Sequence, residues 1–276
     1  MKTSNLLDTK TLSFNDIIGN WKIYKVPDFQ RDYSWNEDNW EDLWNDIITI
    51  NETKESHYMG SIVLLNKGDS IYHIIDGQQR FTTLSILSLA VISKLKELVS
   101  NDIEKEENAE RIELLMKEYI GQKDSVSLTY SSKLFLNENN DSFYQRRLLA
   151  FSKPINIKKL LDSEKLLWKA YEFFINKINE LYKDINNGSE LASFLKNIIG
   201  KNLLFIQITV EDELNAYTVF ETLNSRGVEL TSTDLLKNYL FSLVAKSTSD
   251  LEQVKKQWKK IIDIIGLKNF PVFLRH

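Results

Sequence analysis

The sequence predicts an α+β protein in which a small sheet near the N-terminus packs on a larger, mostly α-helical region. Three observations predict it. The 276 residues include only 9 Gly and 3 Pro, so long irregular loops are few. The clearest β-branched, apolar runs fall before Asp76. Most later apolar positions recur at helical spacing.

Taken in chain order, residues 24–29 read as an extended segment, where Pro27 suits a strand edge or end better than a helix interior. Residues 61–65 and 71–75 are strand-like and flank Asn66-Lys67-Gly68-Asp69-Ser70, which supplies the turn of a hairpin. After Arg80 the pattern becomes helical, with Leu84, Leu87, Val91, Leu95 and Leu98 on one face. The chain thus passes from strand to tight turn to helix over residues 75–82. Residues 101–118 are charge-rich and helical in composition, and 163–186 form the longest amphipathic stretch. Residues 203–210 are too β-branched for a helix and read as one more strand. Helices are expected at about 213–223 and 233–245, flanking Asn224-Ser225-Arg226-Gly227, with Gly227 as a left-handed cap. A last amphipathic helix carries Leu251, Val254, Trp258, Ile261 and Ile265. The pattern divides into a core at 1–100 and a mainly helical region at 101–276.

Composition excludes several classes. There is no cysteine, which removes disulfides, thiolate metal sites and a cysteine nucleophile, and accords with a reducing cytoplasm. No stretch approaches the roughly 20 apolar residues needed to span a bilayer, and the first residues lack a secretory pattern. A soluble cytoplasmic protein without membrane contact is expected. The formal net charge of -4 gives no overall field for a phosphate backbone, so any nucleic-acid contact must be local. The lysines at 255, 256, 259 and 260 read as a solvated helix face.

Three segments can carry chemistry. Asp76-Gly77-Gln78-Gln79-Arg80 ends a strand with a sharp turn, and the next helix begins with free backbone N–H groups and a positive dipole end. An anion is welcome there. Arg80 offers a guanidinium for phosphate, Asp76 a carboxylate for a magnesium-bound water or a ribose, and Gln78 and Gln79 amides that position water or a base edge. An ordinary turn before a helix, capped by Thr82, gives the same spacing. Gln30 and Arg31 lie among Phe29, Tyr33 and Trp35, a cluster that equally suits plain packing. The third segment, residues 220–238, gathers Asn224, Arg226, Asp234 and Lys237, and is also readable as two helices with a surface ion pair. A Walker-type loop is absent from the sequence.

In this order, the FQR-Y-W, IDGQQR-TTL and F-LN-RG-L-DL-KN segments resemble the N-terminal domain of the GmrSD family of modification-dependent restriction systems. The likeness covers most of the chain. It implies a ParB/sulfiredoxin-like core that binds and hydrolyses a nucleoside triphosphate with Mg2+, as a sensor in antiviral defence. By that resemblance Asp76, Gln79 and Arg80 are catalytic, with Asp76 also at the metal. Gln30, Arg31, Gly77, Gln78, Thr82, Asn224, Arg226 and Gly227 hold the nucleotide, and Asp234 and Lys237 are weaker transfers. Implied partners are modified DNA, an HNH-type nuclease in a following domain or separate subunit, and a second copy of the chain. The only histidines are His57, His73 and His276, too scattered for an HNH site, so the nuclease is expected elsewhere. A non-hydrolysing nucleotide- or DNA-binding switch of the ParB-like type is the alternative; DNA cleavage by the domain itself lacks an obvious histidine or carboxylate cluster.

Overall fold

In the computed structural model, residues 8–28, 30–123, 130–212, 240, 244 and 248–266 are described. The helices expected at about 213–223 and 233–245 lie largely outside them. So do Phe29, Asn224, Arg226, Gly227, Asp234 and Lys237.

The hairpin forms where the turn residues predict it. Strand β3 (His57–Asn66) runs antiparallel to β4 (Ile71–Asp76), and Gly68, Asp69 and Ser70 take the positive φ values that close it. Around this hairpin stand β1 (Asp8–Ser13), β2 (Ile23–Lys25), β7 (Leu134–Phe135) and β8 (Leu203–Val210) in a mixed six-stranded sheet of order β1-β8-β3-β4-β2-β7. A separate two-stranded ribbon pairs β5 (Gly121–Lys123) with β6 (Tyr130–Ser132).

The sheet is therefore not confined to the first 100 residues. β8 lies between β1 and β3, antiparallel to the first and parallel to the second, and β7 adds to the edge of β2. Its own pattern marks β8 as a strand; which strands satisfy its N–H and C=O groups is decided by tertiary packing.

Helix α1 (Phe14–Ile18) follows β1, and α2 (Glu37–Thr53) precedes the hairpin. Helix α3 (Gln78–Ser100) starts two residues before Arg80, with Gly77 as its N-cap at φ 91°. Its residues 81–92 are buried on all sides, as expected of a helix at the centre of a core rather than on a surface. It packs against α4 (Lys105–Leu115) and α6 (Asp162–Leu181). Between these, α4 runs on into a π turn (Met116–Ile120), and α5 (Glu138–Phe143) follows β7. Helix α7 (Gly188–Ser193) precedes β8, and α8 (Thr248–Ile265) is the last described element.

Ile62, Leu64, Ile74 and Phe205 join the main core with α3, while Val63, Leu65, Ile75, Ile208 and Val210 form a second cluster. The alternation along β3 places successive side chains on opposite sheet faces.

Candidate functional site

The end of β4 and the start of α3 receive the loop that precedes α2. Gln30 donates from Nε2 to the carbonyl of Ile75 at 2.9 Å, and Gln78 Nε2 donates to Gln30 Oε1 at 3.3 Å and to the carbonyl of Arg31 at 3.2 Å. Gln79 reads the loop backbone with both ends of its amide: Oε1 accepts from the Ser34 N–H at 2.8 Å and Nε2 donates to the Asp32 carbonyl at 3.2 Å. Two of the three motif segments are thus in direct contact. The adjacent glutamines have this reach because the first turn of α3 sits directly against residues 30–34. Both are under 10% exposed, so their amides need these partners.

Aromatic residues fix the other end of the loop. The Tyr33 hydroxyl shares a hydrogen bond with Thr83 Oγ1 at 2.7 Å and accepts from Trp40 Nε1 at 2.9 Å. Burial pushes its phenol well above the ordinary range, against the opposing effect of the Thr83 and Trp40 contacts.

Arg80 occupies a different place from the one expected. Its Nη1 donates to the Met59 carbonyl and its Nη2 to the Ser61 carbonyl, both at 2.6 Å, and Nη2 also meets Asp76 Oδ2 at 3.3 Å. The guanidinium is turned onto the backbone of β3. Gly60 lies between the two acceptors at φ 100°, and a Cβ there would come within 2.2 Å of Nη1. Asp76 stands at the strand end with 24% of its side chain exposed. Arg31 is the exposed cation at the turn. Thr82 lies on the second turn of α3, beside Gln79, and does not cap the helix.

Sequence reasoning missed a further set. Asn137 Nδ2 donates to the Gln30 carbonyl at 3.2 Å and to Asp32 Oδ1 at 2.7 Å, Asn139 also meets the Asp32 carboxylate, and Asn140 Oδ1 accepts from the Tyr33 N–H at 2.8 Å. Three asparagines within four residues after the apolar run Leu134-Phe135-Leu136 were the available signal, and the loop residues they hold lie over 100 residues away.

The space enclosed by Arg31, Tyr33, Gln78, Gln79, Thr82 and Asn137 is about 10 Å³, room for a water molecule. A wider cavity of about 240 Å³ opens beside Arg80, lined by Trp35, Asp42, Asp46, His57 and Tyr58. His57 Nε2 is 3.3 Å from Asp46 Oδ2. Among the described residues no group of three or more His, Cys, Asp or Glu has the proximity of a metal site.

A family model described as the N-terminal domain of the GmrSD restriction endonuclease matches residues 11–241. The chain belongs to that family. The match takes in the Gln30–Arg31 loop, the Asp76–Arg80 turn and all but the first three residues of the six-stranded sheet, and it gives the GmrSD N-terminal domain seen here a role in a restriction system acting on DNA. No match was found among curated protein sequences. No helix among the described residues is long and apolar enough to cross a membrane.

Proposed function

We propose that this domain binds a nucleoside triphosphate, with Mg2+, at the start of α3 and hydrolyses it, coupling nucleotide state to a nuclease carried by another domain or subunit. The core is read as ParB/sulfiredoxin-like and the setting as the cytoplasm. The observation that carries the reading is the docking of Gln30 and Arg31 on the first turn of α3 through Gln78 and Gln79. This brings an exposed guanidinium to a helix N-terminus that has no side-chain cap, an arrangement favourable to anionic oxygens.

The roles within the set follow from the contacts. Arg31 is the phosphate ligand. Arg80, with its donors on β3, is a positioning residue that holds the turn. Asp76, part-exposed at the end of β4 and 3.3 Å from Arg80, would offer Mg2+ its carboxylate; the ion is commonly held by one or two carboxylates plus phosphate oxygens and water, so a single aspartate fits. The enclosed space of about 10 Å³ is too small for a triphosphate, so the phosphates would lie on the open side of the turn beside the exposed Arg31, with residues 30–34 still held by Gln78 and Gln79. Asn224, Arg226 and Gly227 complete the proposed set from outside the described residues.

Release of phosphate from each of the four ribonucleoside triphosphates, with and without Mg2+, tests the reading. Turnover of at least one, dependent on Mg2+, is expected; turnover of none contradicts hydrolysis. A non-hydrolysing switch is the second reading, favoured by the double engagement of Gln79, which leaves its amide committed to the loop rather than to a water. It predicts saturable nucleotide binding without phosphate release.

A further inference from the structure

Away from this turn, Trp21 is 69% exposed in the loop between α1 and β2. Such exposure leaves a large aromatic surface in water, where tryptophan usually contributes most when covered. It borders a cavity of about 380 Å³ that is also lined by Leu114, Lys117, Glu118, Lys133 and Lys196 and shares no residue with the cavities at the turn. Leu114 is itself 57% exposed. The lining is cationic, three lysines against one glutamate, in a chain whose net charge is -4.

The cations are held in defined places. Lys117 Nζ lies 5.8 Å from the Trp21 ring centroid and has no ion-pair partner among the described residues. Lys196 meets Glu118 at 3.2 Å with half its side chain exposed. Lys133, 7% exposed, donates to the carbonyls of Ile18 at 2.8 Å and Glu118 at 2.7 Å, which uses two of the three N–H bonds of its ammonium.

We propose that this cavity takes an unstacked nucleobase of single-stranded DNA on the face of Trp21, with the adjoining phosphates at Lys117 and Lys196. An aromatic face takes any base by stacking, and lysines around it track the backbone. Charge complementarity selects a polyanion, and the exposed ring selects one with free π-faces over a duplex or an acidic peptide. Burial lowers the pKa of Lys133 to about 8, against the opposing influence of Glu118; at neutral pH it still adds positive charge to the floor.

The test is anisotropy of a labelled oligothymidine and of a matched duplex, titrated with the whole chain at several salt concentrations. The single strand is expected to bind more tightly. Trp21→Ala should weaken it about tenfold or more, and Lys117→Ala should reduce the slope of log affinity against log salt by about 0.7. Trp21→Phe should keep most of the binding. Phosphate release should be unchanged in Trp21→Ala, which separates this site from the nucleotide turn. Single-strand affinity equal to wild type in both Trp21→Ala and Lys117→Glu overturns the proposal, as does a duplex preference indifferent to Trp21.

Discussion

The Cβ that Gly60 lacks would stand 2.2 Å from Nη1 of Arg80. The guanidinium reaches two carbonyls of β3 because nothing projects from the residue between them. Gly60→Ala should therefore cost about 3 kcal/mol, combining roughly 1–3 kcal/mol of strain at positive φ with displaced charge-assisted hydrogen bonds. Urea unfolding checks it: the midpoint should fall while the slope stays at its wild-type value.

Arg80→Ala is expected to act first on stability. It leaves the carbonyls of Met59 and Ser61 without their charged donor, a loss of roughly 2–4 kcal/mol. Arg80→Lys cannot bridge both acceptors and should recover less than half of that. A thermal midpoint unchanged in Arg80→Ala would show that these contacts contribute little.

Gln79→Ala should free the loop. The Ser34 N–H and the Asp32 carbonyl lose their partner, and hydrogen exchange of residues 30–35 should quicken by about tenfold, matching roughly 1–1.5 kcal/mol of local stability. Exchange in α6 should not change, since the effect is confined to the loop.

Alkaline pH separates Lys133 from the buried tyrosines. The folded pKa of Lys133 is lowered from 10.5 to about 8, by burial first. Between these values the unfolded chain binds more protons, so stability from this group rises with pH and is lost as pH falls through 8. Tyr24 and Tyr33 have phenols raised by burial, so their contribution is present below pH 10 and is lost as pH rises above it. A maximum between about pH 9 and 10 is expected from these groups, and Lys133→Met should flatten the rise on its acid side.

Much of this was legible in the sequence where the cause is local. The hairpin is set by Gly68-Asp69-Ser70, α6 by its apolar spacing, and β8 by its β-branched run; the hairpin and β8 form where their residues predict, and α6 starts as expected but ends at Leu181, five residues short of the expected 186. The Asp-Gly turn likewise yields the strand–turn–helix. What local pattern does not carry is partnership. Nothing around Leu203 announces that β8 inserts between β1 and β3, and nothing around Arg80 announces that its acceptors are the carbonyls on either side of Gly60, because both depend on residues distant in sequence. The asparagines at 137, 139 and 140 acquire a role only once the loop they hold, residues 30–33, is in place.

The proposed nucleotide site at the start of α3 depends on Arg31. Calorimetric titration of each Mg2+-ribonucleoside triphosphate into wild type and Arg31→Ala tests it most directly. Arg31 is exposed, so its loss should leave the melting temperature unchanged while weakening the preferred nucleotide about ten- to a hundredfold. Equal affinity in the two proteins, or no binding of any of the four to wild type, would rule out this site.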